Sequence, residues 1–249
     1  MDCSSALQNN EADARLNRIL HRRRRLLWNP ETESVASPRS ILSRSGIVLV
    51  EEVIPAQVCQ RIKHQLPKLR PVAPTRIIEP SHRMDLLVYA GGYVSQVLRE
   101  SWALLAPFME EELGPNPEVV ELSAMVSFPG AARQAPHPDV KQGTDQASMY
   151  SVFIPLTDQS FEMGPLLAWP GTHLEKPAEL PMQDVVPMLT KAGSLIIMDS
   201  RLYHCGGANC SQVERPVLYF TLKGPGPTPQ GSTLSLLPEL RGASIAGLV

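Results

Sequence analysis

The chain has 249 residues, of which 43% are hydrophobic, and this length fits one domain of the larger β-rich kind. The formal net charge of −2 gives no general attraction to nucleic acid or to an anionic membrane. No apolar run reaches the roughly 18 residues that a membrane-spanning helix needs. We therefore predict no nucleic-acid partner and no membrane span, and the sequence leaves the oligomeric state open.

The cysteines indicate the redox compartment. Cys3, Cys59, Cys205 and Cys210 do not have the spacing of a disulfide framework, and no secretory signal precedes them. We therefore predict reduced thiols and a cytoplasmic location. A zinc site at Cys205 and Cys210 would need further ligands, which the sequence does not supply.

Residues 1–45 are predicted to form an N-terminal basic helix and linker that is partly flexible. Apolar residues recur at helical spacing from Glu11 to Trp28, and the run Arg22–Arg25 interrupts them. A solvated helical face is the simpler interpretation of the arginines. An address signal, or a docking surface for a macromolecular substrate, is the alternative. The prolines within Asn29–Ser45 favour a linker.

Residues 46–223 are predicted to form the main domain. A short strand at Ile47–Val50 precedes a helix opened by Pro55 and a second helix within Gly91–Leu113. Short apolar segments between Pro and Gly turns then predict five strands: Val119–Phe128, Ala147–Leu156, Leu166–Trp169, Ser194–Asp199 and Val217–Lys223. This pattern favours a mainly β (α+β) jelly roll with flanking N-terminal helices. We interpret Pro181–Pro187 as an insertion and residues 224–249 as a loose C-terminal tail.

A metal site is predicted from two histidines and one aspartate. Side chains two residues apart on an extended segment share a face, so His137 and Asp139 present an imidazole and a carboxylate together. His204, which follows the apolar run Leu195–Asp199, completes the set. Such a face suits non-haem Fe(II) and leaves coordination positions open. A structural His–Asp hydrogen bond is the alternative for the first two residues taken alone.

Arg215 is the candidate ligand of a carboxylate. It begins a strand pattern, Arg215–Leu222, in which every second residue shares its face. Its planar guanidinium can hold a carboxylate through two parallel hydrogen bonds. A solvent-facing arginine at the start of a strand is the alternative. An open iron site beside such an arginine is what an oxygenase that uses 2-oxoglutarate requires.

Several segments together resemble the phytanoyl-CoA dioxygenase-like family. They are Gly46–Pro55, Ser151–Asp158, Gly164–Leu166, Pro170–His173 and Asp199–His204, followed by Asn209, Ser211 and Arg215. The resemblance implies a double-stranded β-helix, the jelly-roll fold of the cupins, with His137, Asp139 and His204 as iron ligands. It implies that Arg215 binds the distal carboxylate of 2-oxoglutarate. His173 is expected in a structural turn outside the iron sphere.

The same resemblance suggests which residues surround the metal. Met125 is expected on the wall of the substrate pocket, with a plain core methionine as the alternative. Gln134 and Arg133 precede the metal motif, and we expect Gln134 to reach the co-substrate and Arg133 the substrate. Solvent exposure is the alternative for Arg133. The family often has an aromatic residue in the strand after the metal motif, and this chain offers Tyr150 and Phe153 there. Tyr150 is expected to bind the co-substrate, and the sequence leaves the second anchor of 2-oxoglutarate open.

The resemblance identifies the chain as a 2-oxoglutarate-dependent non-haem iron dioxygenase, with Fe(II), 2-oxoglutarate and O2 as cofactors. The expected reaction oxidises a small organic molecule, usually by hydroxylation, and releases succinate and CO2. Desaturation, cyclisation and epimerisation begin in the same way. The alternatives are a non-catalytic or 2-oxoglutarate-independent metal-binding protein of the cupin type and an oxygenase that acts on a macromolecule. Fold and iron site serve many chemistries, so neither names the substrate.

Overall fold

The computed structural model describes residues 14, 16–31, 36–69, 75–78, 82–141, 148–175 and 178–249. A helix over residues 16–24 (α1) is followed by α2 (Pro38–Ser45), α3 (Ala56–Leu69), α4 (Tyr93–Leu113) and α5 (Ile245–Leu248). The strands are β1 (Ile47–Val50), β2 (Thr75–Ile78), β3 (Arg83–Leu87), β4 (Glu118–Ser127), β5 (Met149–Pro155), β6 (Leu166–Ala168), β7 (Val186–Pro187), β8 (Leu195–Asp199), β9 (His204–Gly206) and β10 (Arg215–Lys223). Cys3 and the first residues of the predicted N-terminal helix, 11–13, lie outside the described residues.

The strands form two antiparallel sheets. The larger sheet has seven strands in the order β1-β8-β5-β10-β4-β3-β2, and the smaller has three in the order β7-β6-β9. This arrangement confirms the predicted mainly β jelly roll with helices near its N-terminus. Among the described residues, no helix combines the length with the apolar composition that a membrane crossing requires.

The large sheet has two unlike faces because side chains alternate along each strand. On one face, apolar residues such as Leu122, Val152 and Phe220 belong to a core that also contains Leu98 and Leu105 of α4. Burying one such side chain stabilises the fold by about 1.5–3 kcal/mol. The opposite face carries polar side chains among apolar ones and lines a cavity. Because side chains alternate along each strand, the core lies on one face of the large sheet and the cavity lies on the other.

A helix replaces the predicted linker between residues 29 and 45. The Ser37 side chain accepts a hydrogen bond from the backbone N–H of Ser40 at 3.2 Å, which caps the start of α2. Gly46, with φ of 71°, ends the helix in the left-handed conformation that glycine adopts without strain. Ile41 and Leu42 of α2 are buried in the core. The linker prediction is therefore wrong for residues 38–45.

Part of the basic N-terminal segment is also tied to the main domain. The side chain of Leu26 is 3% exposed. The carbonyl of Leu26 accepts a hydrogen bond from the N–H of Leu49 in β1, and the N–H of Trp28 donates to the carbonyl of Leu49, both at 2.8 Å. Two of the four consecutive arginines form ion pairs within the chain, Arg22 with Asp184 and Arg23 with Glu51.

The prediction of a loose C-terminal tail is wrong. Leu236, Leu237 and Ile245 are buried, and the carbonyl of Ser235 accepts a hydrogen bond from the N–H of Leu122 in β4 at 2.8 Å. Parts of residues 224–249 therefore pack against the domain, where they bond to β4 through Val119 and Leu122. The segment Pro181–Pro187 is likewise more than an insertion, because its last two residues form β7 and pair with β6.

We predict that Leu26→Ala lowers the free energy of unfolding by about 2–4 kcal/mol, since it removes a buried side chain and leaves a cavity. Leu16→Ala is the control, because Leu16 lies on α1 and is 40% exposed, so its loss should change stability by less than about 0.5 kcal/mol. Urea denaturation measures both. Equal small effects would show that the N-terminal segment adds nothing to the core.

Candidate metal centre and its cavity

A cavity of about 270 Å³ lies on the polar face of the large sheet. Strands β3, β4, β5 and β10 supply alternate residues to its wall, and β9 of the small sheet supplies His204 and Gly206. The pairing of β4 with β10 places Met125 opposite Val217 and Ser127 opposite Arg215. The cavity therefore has an arginine at one end of this strand pair and apolar groups beside it.

His137, Asp139 and His204 meet at this cavity. Their candidate ligand atoms all lie within 4.8 Å of one another. Nε2 of His204 is 3.5 Å from Oδ1 of Asp139, and Nε2 of His137 is 4.0 Å from the same oxygen. The backbone N–H of each histidine donates to the carbonyl of the other, at 2.9 and 3.0 Å. This pair of hydrogen bonds joins two candidate ligands that are far apart in the sequence.

Both imidazoles are oriented by the backbone. Nδ1 of His137 is 2.8 Å from the carbonyl oxygen of Ala135, and Nδ1 of His204 is 3.0 Å from that of Leu202. A proton on each Nδ1 leaves the Nε2 lone pair for a metal ion. Burial lowers the pKa of His204, which keeps that ring neutral and able to coordinate. Two neutral nitrogens and one carboxylate with open positions beside them fit Fe(II).

Two buried arginines share the cavity. Arg215 is 5% exposed and Arg83 is 2% exposed. Nη2 of Arg215 donates to Oγ of Ser127 at 2.9 Å, and Nη2 of Arg83 donates to the carbonyl of Gly207 at 2.9 Å. Within the described residues, neither arginine pairs with a carboxylate, and neither Nε has a hydrogen-bond partner. Burial, and then the nearby charge of Arg83, lowers the pKa of Arg215 to about 10.

Unpaired buried guanidinium groups are costly, so their arrangement indicates a site for an anion. Gly206 shows how tightly the surroundings are fitted. A Cβ atom there would lie 2.8 Å from Oε1 of Gln134 and 3.3 Å from Nη2 of both Arg215 and Arg83. The Gln134 oxygen accepts a hydrogen bond from the N–H of Gly206 at 2.7 Å. The glycine keeps the space beside both arginines open.

The structure brings most of the predicted site residues together. Met125 and Gln134 line the cavity with the three metal-site residues and Arg215. His173 lies outside the metal site, as expected, and its Nε2 is 3.1 Å from the carbonyl oxygen of Ser43.

Tyr150 and Arg133 do not line the cavity. Tyr150 is buried in the apolar core. Side chains alternate along β5, and Ser151 and Phe153 are on the face that lines the cavity. The expectation that Tyr150 binds the co-substrate is therefore corrected. Arg133 is exposed and its Nη1 lies 3.2 Å from the sulfur of Met182, so the alternative of an exposed side chain applies.

Side chains also alternate along the short strand β9, which contains Cys205. Its neighbours His204 and Gly206 line the cavity, whereas Cys205 is fully buried on the other side of β9. Burial raises the pKa of its thiol. Among the described residues, the one group that could hold a metal ion contains His137, Asp139 and His204 and no cysteine.

Several polar residues of the cavity wall were not predicted from the sequence. They are Arg83, Asp85, Glu121, Gln159, Thr233 and Ser235. A signal was present for Asp85 and Glu121, since each alternates with buried apolar neighbours such as Leu86 and Leu122. Thr233 and Ser235 had no such signal, because they lie beyond the last strand.

Fold and site together define the class of the protein. A jelly roll with a two-histidine, one-carboxylate centre beside buried arginines is the arrangement of the non-haem iron oxygenases that use 2-oxoglutarate. The family model described as phytanoyl-CoA dioxygenase (PhyH) matches residues 42–217, which is more than half of the chain. The chain belongs to the phytanoyl-CoA dioxygenase family, and it is a 2-oxoglutarate-dependent non-haem iron dioxygenase with Fe(II), 2-oxoglutarate and O2 as its cofactors.

Solved structures show the same fold. HygX from Streptomyces hygroscopicus, with nickel and 2-oxoglutarate bound, is 13% identical, with 84% of this chain and 95% of that chain covered and a TM-score of 0.64. SnoK, a carbocyclase from nogalamycin biosynthesis, is 16% identical, with 77% and 85% covered and a TM-score of 0.63. The epimerase SnoN, in complex with Fe3+, α-ketoglutarate and nogalamycin RO, is 16% identical, with 82% and 92% covered and a TM-score of 0.64.

We predict that His204→Ala weakens Fe(II) binding by at least about 100-fold. Loss of a residue that merely orients a ligand already costs roughly 10- to 100-fold, and His204 is predicted to be a ligand itself. His64→Ala is the control, because His64 is exposed on α3 and distant in sequence from the site. Anaerobic Fe(II) titration followed by absorbance or calorimetry measures the affinity. Unchanged binding by the His204 variant would exclude it as a ligand.

Proposed function

We propose that this enzyme oxidises a small organic molecule, by hydroxylation in the simplest case, and converts 2-oxoglutarate to succinate and CO2. The observation that carries the proposal is the cavity in which a His–Asp–His centre adjoins two buried arginines without carboxylate partners. A dianionic co-substrate would neutralise charge that the described residues leave unbalanced.

In this proposal His137, Asp139 and His204 hold Fe(II). Arg215 binds the distal carboxylate of 2-oxoglutarate, with Ser127 fixing the position of its guanidinium at 2.9 Å. Fe(II) and 2-oxoglutarate held by these residues would supply the oxidising chemistry that the protein directs at its substrate.

Arg83 and Gln134 assist the binding of the co-substrate. Arg83 is fixed by two carbonyl groups, of Ala132 and Gly207, and it adds positive charge beside Arg215. Gln134 uses its oxygen on the N–H of Gly206, which leaves its amide hydrogens to donate to a ligand. These contacts replace the co-substrate contact that was expected at Tyr150.

The rest of the wall suits a small substrate. Apolar side chains border the metal site and limit the access of water: Phe153, Leu166, Met188, Ile196 and Val217. A volume of about 270 Å³ is just below the roughly 300–1,000 Å³ of typical ligand pockets. HygX with hygromycin B and SnoN with nogalamycin RO are solved complexes with small molecules, which supports a small-molecule substrate here.

We expect the purified protein, loaded with Fe(II), to release succinate from 2-oxoglutarate when a metabolite panel contains its substrate. The product of hydroxylation should be heavier than the substrate by one oxygen atom in mass spectrometry. His204→Ala is the matched inactive control. A protein that binds Fe(II) and 2-oxoglutarate but never yields succinate above this control would support the non-catalytic alternative.

Arg215→Lys should weaken 2-oxoglutarate binding by roughly 10- to 100-fold, because a hydrogen bond to a charged group contributes about 1.5–3 kcal/mol and lysine lacks the paired donors. Fe(II) affinity should not change. Arg201→Lys is the control, since Arg201 pairs with Asp199 outside the cavity at 2.6 Å. Calorimetric titration of 2-oxoglutarate into the metal-loaded Arg215→Lys and Arg201→Lys proteins gives the affinity of each variant for 2-oxoglutarate. Identical curves for Arg215→Lys and the parent would remove the assigned role.

A further inference from the structure

The two ends of the cavity carry unlike ionisable groups. Arg83 and Arg215 lie at the end where β4 finishes with Ser127, and Glu121 lies six residues earlier on the same strand. At about 3.3 Å per residue, this separates the backbones of Glu121 and Ser127 by roughly 20 Å. The co-substrate requires the basic end, so the acidic end remains for the substrate.

Glu121 is a buried carboxyl group that has only neutral hydrogen-bond donors, and burial raises its pKa, so a cation that enters the cavity favours its charged form. It is 8% exposed, and it accepts hydrogen bonds from the hydroxyl of Thr221 at 2.6 Å and from that of Thr233. The Ser151 hydroxyl is 2.9 Å from the Thr221 hydroxyl and can donate to it, since the Thr221 proton is directed to Glu121. No cation of the described chain forms an ion pair with Glu121.

A second carboxyl group lies near Glu121, since Asp85 is one of its electrostatic neighbours. Asp85 is itself held in the cavity wall, where its Oδ2 accepts a hydrogen bond from the hydroxyl of Tyr219 at 3.0 Å. A carboxylate buried among like charges and hydroxyls is stabilised strongly by a cation that enters the same space.

We propose that the Glu121 end of the cavity binds an ammonium group, so that the substrate is an amine that is protonated at neutral pH. The inference rests on the proposed function, because it assigns the arginine end to 2-oxoglutarate. An ammonium has three hydrogens to donate, which suits a carboxylate with hydroxyls around it. The same carboxylate repels an anionic substrate, so this end of the cavity favours amines over carboxylic acids.

The C-terminal segment takes part in this subsite. Thr233 donates to Glu121, and Ser235 lines the cavity while its carbonyl is bonded to the N–H of Leu122. Both residues follow residue 217, where the match to the family model ends. We therefore assign substrate selectivity partly to residues that the family pattern does not include.

The test measures binding of matched pairs of small probes in which an ammonium replaces a hydroxyl. D-glucosamine with D-glucose and cyclohexylamine with cyclohexanol are suitable pairs. Ligand-observed NMR is recorded on the full chain loaded with Zn(II) and 2-oxoglutarate, since Zn(II) is diamagnetic and has no redox chemistry. We expect the amine of a pair to bind the parent protein at least about tenfold more tightly than the alcohol, and Glu121→Gln to abolish this preference.

Glu118→Gln is the matched control, because Glu118 lies on the same strand and pairs with Lys223 outside the cavity. It should keep the preference, and Glu121→Asp should retain it in part because the charge remains. The inference is overturned if the parent does not prefer the amines, or if Glu121→Gln binds them as the parent does. The parent comparison decides the matter even if Glu121→Gln does not fold.

Titration of 2-oxoglutarate separates this inference from the proposed function. A parent protein that binds 2-oxoglutarate without preferring amines contradicts only the ammonium subsite. A protein that does not bind 2-oxoglutarate contradicts the proposed function itself. Normal 2-oxoglutarate binding by Glu121→Gln would show that the variant is folded and that its arginine end is intact.

Discussion

The reciprocal backbone hydrogen bonds between His137 and His204 are the interaction on which the site depends. They join the loop after β4 to the start of β9, and thus connect the large sheet to the small one. Since each histidine is also held through Nδ1 by a nearby carbonyl, the positions of both rings follow from the backbone. A preorganised donor set needs little rearrangement when a metal ion binds.

The cavity depends on the same regularity of strands. A side chain enters the cavity or the core according to whether its position is odd or even along β4, β5 and β10. Neighbouring residues therefore serve different purposes, as Glu121 and Leu122 do on β4. The arginines occupy one end of this surface and the carboxylate of Glu121 the other, which gives the cavity a direction along which a substrate can be oriented.

The residues with local signals could be predicted from the sequence. The His137–Asp139 pair is visible because two residues of separation put both side chains on one face, and Arg215 is visible as the start of an alternating strand. The error at Tyr150 was an error of one residue, which on a strand exchanges the two faces. Arg83 could not be assigned in the same way, because its role depends on the pairing of β3 with β4, which joins distant segments. The packed C-terminal segment lacked any periodic pattern.

The orientation of Cys205 has a consequence for the choice of metal. Thiolates attract Zn(II) and Cu(I), which compete with iron for sites that contain sulfur. Cys205 is the residue next to a predicted iron ligand, yet β9 turns its sulfur away from the cavity, and burial keeps the thiol protonated. The centre therefore offers nitrogen and oxygen donors alone. A reversal of this one alternation would place sulfur at the metal and expose the enzyme to occupation by an ion that cannot support its chemistry.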